Sequence, residues 1–467
     1  MNTLEQLRRG DLQGATRLAL SEGLTEFPQE IFGLADTLEY LDLSGNALTS
    51  LPEDFARLHR LQVLFCAGNR FTELPVVLGQ CKSLSMVGFR TNQITRIQAA
   101  ALPPKLRWLI LTGNQLAELP SEIGLCTELQ KVALSGNRLT ALPAEMAACT
   151  KLELLRIGAN CFESLPAWLL QMPRLSWLGY SGNPVCAEAE QKALLSFASD
   201  NEAATHEFNT SKPQGAPGVK QIPWSSLQLK QKLGEGASGV IYQATLTGAA
   251  QEVAVKVFKG ALTSDGLPHS EIAAYLSAGA HPYLINLLGK VTGHPEGTEA
   301  LVMQLVDSSY RNLAAPPSLQ SCSRDVYSPD LRFSLHDALR LAKGVASMAQ
   351  QLHRRGLTHG DLYGHNTLIG DHGHAVLGDF GAAAFYDQSD LVVAKAIEQI
   401  EVRAFGCLLE ELLERVDLEP DDRMKQKSVV QKAEALRDSC LLPKVIERPL
   451  FATIEKALSE LLKSVSY

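Results

Sequence analysis

The sequence predicts two architectures in series: a solenoid of short parallel strands over residues 1–183, then a domain of mixed strands and helices able to handle phosphate. Three observations predict this. Asparagine recurs at Asn46, Asn69, Asn92, Asn114, Asn137, Asn160 and Asn183, spaced 23 residues apart except for one gap of 22. A glycine-rich turn at 233–240 precedes an alternating strand that carries a lysine, Lys256. Asp361, Asn366 and Asp379 follow in an order that lets an acid, an amide and a second acid meet around metal-bound phosphate.

The chain has 467 residues, 45% of them apolar and 20% charged, with a net charge of −8. That length accommodates two or three domains. The acidic balance implies no general attraction to nucleic acid or anionic membrane. We find no run of eighteen apolar residues, and residues 1–10 read as a short helix capped by Thr3 and Gln6 rather than a signal peptide. Nine cysteines without CxxC pairs argue against a disulfide framework or zinc site and for free thiols in a reducing cytosol. The expected location is cytoplasmic.

Each asparagine closes a pattern L-x-x-L-x-L-x-x-N, as in Leu38, Leu41, Leu43, Asn46 and in Leu129, Val132, Leu134, Asn137. A degenerate first copy holds Leu18 and Leu20. Alternating apolar positions make a short strand with one buried face, which only stacked neighbours can cover. The asparagine amides should then form a ladder of bonds to adjacent turns. Cys81, Cys126 and Cys149 each precede the first leucine of a repeat by three residues, where Leu58 and Met172 also stand, so they read as core hydrophobes. This array resembles the leucine-rich repeat family.

The outward strand positions are Tyr40, Val63, Met86, Trp108, Lys131, Leu154 and Trp177, with Phe65 and Ile110 beside them. Six of the seven are apolar, which predicts an exposed stripe and a protein partner or substrate on the concave face, contacting Tyr40, Phe65, Trp108, Ile110 and Trp177. A neighbouring domain or second copy covering the stripe is the alternative. Residues 187–197 read as an amphipathic helix capping the array, and 199–223 as a Gly/Pro/Ser-rich linker. The expected domains are 1–198, a linker at 199–224, and 225–467.

In the second half, Leu233 to Val240 holds Gly234, Gly236 and Gly239, and Glu271 follows Lys256 on a helical stretch, able to supply its counter-ion. These motifs resemble the protein kinase family over nearly all of 225–467. The whole chain thereby resembles an α/β leucine-rich repeat solenoid followed by a bilobal α+β protein kinase-like domain. The resemblance implies ATP and Mg²⁺ as cofactors. It implies a nucleotide cradle of Leu233, Gly234, Gly236, Ser238, Gly239, Val240, Ala254, Lys256, Met303 as gatekeeper, Gln304, Val306 and Leu368. It assigns catalysis to Asp361, Lys256 and Glu271, and metal binding to Asn366 and Asp379.

Four departures stand out. The family's His-Arg-Asp is His359-Gly360-Asp361, and Tyr363 replaces the basic residue of serine/threonine kinases, with His365 near enough to substitute. No Ala-Pro-Glu lies between Asp379 and Glu401, although Arg448 matches the arginine that would pair with it. Glu401 stands where the family has an aspartate. The implied function is an ATP-dependent, serine/threonine-directed protein kinase. A nucleotide-binding pseudokinase scaffold and a small-molecule kinase are the alternatives.

Overall fold

A computed structural model describes residues 2–204, 220–236, 238–248, 250–419 and 423–465. The expected linker at 199–224 lies largely outside them. By internal packing the chain forms two units, Met1–Leu175 and Ser176–Tyr467.

The first unit opens with helix α1 (Leu4–Arg9), whose Thr3 and Gln6 form the expected reciprocal cap. Seven three-residue strands follow, β1 (Arg17–Ala19), β2 (Tyr40–Asp42), β3 (Val63–Phe65), β4 (Met86–Gly88), β5 (Trp108–Ile110), β6 (Lys131–Ala133) and β7 (Leu154–Arg156). Each pairs in parallel with the next, in register from repeat to repeat. Short 3₁₀ turns such as Ser121–Leu125 and Ala144–Ala148 bring the chain back after each strand.

The asparagine ladder holds this stack together. Asn114 donates through Nδ2 to the carbonyls of Phe89 and Leu111, both at 2.9 Å, and its oxygen accepts the Ile94 N–H at 2.9 Å. Asn137 repeats the pattern on Leu111, Leu134 and Leu116. The amide is the right group because it both donates and accepts, satisfying backbone that would otherwise be buried without partners. Cys81, Cys126 and Cys149 are buried, and burial pushes the Cys81 and Cys149 thiols up to about 11.

The outward stripe is not open as expected. Val63, Met86, Trp108 and Leu154 are buried, and Tyr40, Phe65, Ile110 and Lys131 are only half-buried. Neighbouring side chains cover part of it: Arg17 lies 3.9 Å over the Tyr40 ring, and Lys131 Nζ lies 4.6 Å over Trp108.

The second unit begins with the eighth repeat strand, β8 (Trp177–Gly179), and helix α2 (Pro184–Ala204). These elements pack against the helices at 268–278 and 391–413 of the same unit. A six-stranded sheet then runs β10-β11-β12-β14-β13-β9. Its strands are β9 (Lys220–Pro223), β10 (Leu227–Glu235), β11 (Gly239–Leu246), β12 (Gln251–Phe258), β13 (Leu287–Thr292) and β14 (Ala300–Gln304). Helix α3 (Pro268–Ala278) follows β12. The remaining lobe is helical, with α4 (Leu335–Arg354), α5 (Leu391–Leu413), α6 (Arg423–Cys440) and α7 (Phe451–Val465). One face of the sheet buries Val253, Val255, Val291 and Val302, which leaves the other face for the site. Among the described residues no helix is long and apolar enough to cross a membrane.

Candidate active site

Strand alternation fixes which side chains of β12 reach the cleft. Val253 and Val255 enter the core, so Ala254 and Lys256 point the opposite way. Residues directly opposite on antiparallel neighbours share a face. Met303 opposes Ala254 and thus lines the same side. Ile241 opposes Lys256, whereas Val240 opposes Val257 on the core side. The expectation that Val240 lines the cleft is therefore corrected, and Ile241 takes that place. Counting by two from Lys256 leads to Val240 instead, so the register across the hairpin was needed to find Ile241.

Lys256 sits between two carboxylates. Its ammonium donates to Glu271 Oε1 at 2.5 Å and to Asp379 Oδ1 at 3.1 Å, so α3 and the segment before α5 converge on one cation. Burial alone would lower the Lys256 pKa, but Asp379 and Glu271 more than reverse this and hold it charged. Lys256 also pulls the Asp379 carboxyl below its ordinary value. Glu271 is the carboxylate that yields: burial pushes it up to about 7 against the pull of Lys256. Its second oxygen is buried and finds no hydrogen-bond partner among the described residues.

Asp379 has a left-handed backbone, with φ of 57°, and its N–H donates to the Tyr275 hydroxyl at 3.0 Å. Phe380 packs inward on Tyr275 with ring centroids 4.5 Å apart. Tyr275 belongs to no motif, although it lies one helical turn after Glu271. Asn366 donates through Nδ2 to Asp361 Oδ2 at 2.7 Å and to the Asp361 carbonyl at 3.1 Å. This turns the amide oxygen away from the aspartate and toward a role as a hard ligand.

The residues present fit ATP and Mg²⁺. A Cβ added at Gly234 or Gly236 would meet nothing within 4 Å, so the flap leaves open space where phosphates would approach its backbone. Gly239 is different: its Cβ would lie 2.6 Å from the Val257 carbonyl, so close strand packing requires glycine there. Ser238 is buried within the flap, while Leu233 stays exposed at its edge. Gln304 ties the end of β14 to the segment before β13, its N–H donating to the Asn286 carbonyl at 2.9 Å, and Val306 and Leu368 are half-buried beyond it. Among the described residues no three His, Cys, Asp or Glu side chains form a ready metal cluster. Mg²⁺ needs only one or two protein oxygens when substrate phosphates supply the others, and Asp379 and Asn366 could provide them.

The departures have structural counterparts. Gly360 adopts φ of 72°, and a Cβ there would lie 2.3 Å from the Ala382 carbonyl and 3.0 Å from that of Leu178. No side chain fits, so the family's arginine is excluded by space. Glu401 accepts the Gly360 N–H at 2.6 Å and meets His353 Nε2 at 2.7 Å. His365 pairs with Asp325 at 2.7 Å. Burial would lower its pKa, but the Asp325 hydrogen bond and nearby acids leave it raised. Asp325 gave no sequence signal, being forty residues away. Arg448 donates to the carbonyls of Leu442 and Gln399, bracing α5 from the C-terminal side.

Trp177 is the largest departure from expectation. It is 1% exposed, its indole stacks on the Tyr363 ring with centroids 4.3 Å apart and planes 7° apart, and its Nε1–H donates to the Leu362 carbonyl at 3.1 Å. It is thus engaged by the loop that follows Asp361 and cannot anchor a partner on an open face.

Comparison with known proteins identifies both halves of the chain. Residues 227–406 match protein tyrosine and serine/threonine kinase, and residues 15–71 and 127–185 match leucine rich repeat. A probable cyclin-dependent serine/threonine-protein kinase of Dictyostelium discoideum is 22% identical over 46% of this chain and 34% of its own length. A probable serine/threonine-protein kinase of Arabidopsis thaliana is 32% identical over 23% of this chain and 17% of its own length. A probable L-type lectin-domain containing receptor kinase of the same plant is 32% identical over 34% of this chain and 23% of its own length. The chain spans about a third or less of these relatives. The second unit carries a protein kinase domain. The chain as a whole is a fusion of leucine-rich repeats to that domain.

Proposed function

We propose that this chain transfers phosphate from ATP to protein serine or threonine hydroxyls. The observation that carries the reading is the Lys256 ammonium held between Glu271 and Asp379, with Asn366 bonded to Asp361 alongside. In this reading Lys256 grips the nucleotide phosphates while Glu271 fixes its position. Asp361 orients the attacking hydroxyl and accepts its proton. Asp379 and Asn366 would hold Mg²⁺, which would supply charge to neutralise the phosphates. Catalysis is mainly positioning and electrostatic. The repeats recruit the protein substrate, through the half-buried Tyr40, Phe65 and Ile110 beside Trp108.

A second reading is a nucleotide-binding scaffold. It is favoured by Tyr363, which lies buried under Trp177 where serine/threonine kinases keep a basic residue. The test is labelled ATP with Mg²⁺, a generic protein substrate and a panel of small hydroxyl compounds, beside Asp361→Asn and Lys256→Met. Label on protein from the wild type alone supports the kinase. Nucleotide binding without transfer supports the scaffold, and label confined to a small hydroxyl compound supports a small-molecule kinase.

A further inference from the structure

The segment 176–195 touches the loop that carries Asp361, the chain beyond Phe380, α3 and α5. On the catalytic loop, Trp177 stacks on Tyr363 and donates to the carbonyl of Leu362, the residue after Asp361. The Leu178 carbonyl closes over Gly360. Beyond Phe380, the Cys186 thiol donates to the Phe385 carbonyl at 3.4 Å. On α3, Ser270, immediately before Glu271, donates its hydroxyl to Glu190 Oε2 at 2.8 Å. Glu190 is 4% exposed, and its other oxygen accepts the Gly182 N–H at 2.8 Å. On α5, Arg403 donates to the Ser176 hydroxyl at 2.7 Å.

The stretch between Asp379 and α5, where kinases carry their activation segment, is short. From Gly381 the chain pairs Ala384–Phe385 with Leu357–Thr358 and enters α5 at Leu391. Little chain remains there to brace the loop of Asp361 or to hold α3. A buried aromatic stack with a hydrogen bond to the backbone is well suited to fix a loop, because it restrains both a ring and a carbonyl. A buried carboxylate that is satisfied on both oxygens likewise fixes two elements relative to each other.

We propose that Trp177 and Glu190 are positioning residues for phosphoryl transfer: Trp177 sets the catalytic loop through Leu362 and Tyr363, and Glu190 sets α3 through Ser270. The last repeat strand and its helix thus do in cis what a longer activation segment would do. The kinetic side of this proposal rests on the kinase reading; the structural side does not.

The experiment uses the full chain with Trp177→Ala, Trp177→Phe and Glu190→Ala, and Lys151→Ala, on an exposed ion pair with Glu128, as control. Amide hydrogen exchange is followed in peptides covering 357–366 and 268–278, together with kcat and KM for ATP. Trp177→Ala should speed exchange in 357–366 about tenfold or more. It should lower kcat about tenfold with KM for ATP unchanged within about twofold. Trp177→Phe keeps a ring but loses the N–H, and should recover most of kcat with an intermediate rise in exchange. Glu190→Ala should speed exchange in 268–278. Unchanged exchange in 357–366 for both Trp177 variants overturns the proposal, as does a kcat for Trp177→Ala equal to that of the control. If Trp177→Ala does not fold, Trp177→Phe decides by the same exchange measurement. A wild type that transfers no phosphate defeats the kinase reading alone, and exchange still decides whether the segment sets the loop.

Discussion

Glu401 bridges Gly360 and His353 of α4: one oxygen accepts the Gly360 N–H at 2.6 Å and the other meets His353 Nε2 at 2.7 Å. The extra methylene relative to aspartate lets one side chain span both. Glu401→Ala removes both bonds in a buried setting, at about 1–3 kcal/mol for each unsatisfied group. We expect a loss of about 3 kcal/mol in urea unfolding. Glu401→Asp should also lose stability, because the shorter acid cannot reach both partners. An Asp variant as stable as wild type would contradict this.

Gly360 should tolerate no substitution. Left-handed backbone costs a residue with Cβ about 1–2 kcal/mol, and the overlap with the Ala382 carbonyl adds to it. Gly360→Ala should lower stability by about 2–4 kcal/mol. Gly360→Arg, which restores the usual kinase residue, should be worse rather than activating. Thermal melting and the transfer assay together measure this.

Removing one rung of the ladder should weaken the repeats. Asn114→Ala deprives the Phe89 and Leu111 carbonyls and the Ile94 N–H of this partner. At about 1–3 kcal/mol per unsatisfied group, partly relieved by relaxation, a loss of about 2–4 kcal/mol is expected. Proteolysis of the full chain should begin near the altered rung, in the repeats on either side of Asn114. Wild-type stability would remove the ladder as a source of cohesion.

The thiols give a pH prediction. Of nine free cysteines, Cys161 is the exposed one. A thiol-reactive dye at about pH 8 should modify Cys161 first, with the buried thiols reacting only on unfolding. Cys81 and Cys149 have folded pKa values raised by burial to about 11. A raised folded pKa means the folded state holds its proton more tightly than the unfolded one. Their contribution is therefore complete below about pH 9 and is lost as pH rises toward about 11. Melting temperature should fall across that window, and Cys81→Ala with Cys149→Ala should flatten the fall.

Much of the architecture was legible because its signals are local. Repeat spacing, alternating strands and the paired caps of α1 are each set within a few residues of one another. The order of Lys256, Glu271, Asp361, Asn366 and Asp379 was likewise readable, and the structure brings Lys256, Glu271 and Asp379 into one cluster. The alternation rule was also available for Val240 and Ile241, but the strand register was needed to apply it.

By itself the sequence determined the repeat unit, the kinase motifs and their order, since these depend on periodicity and residue type. Only the tertiary structure decided why Gly360 replaces an arginine, what Glu401 joins, and that Trp177 belongs to the catalytic loop rather than to an open face. Those facts depend on groups brought together from distant parts of the chain, such as the Ala382 carbonyl and the Tyr363 ring. No local pattern encodes such proximity; it arises when backbone and side chains must fill one volume without overlap or unpaired polar groups.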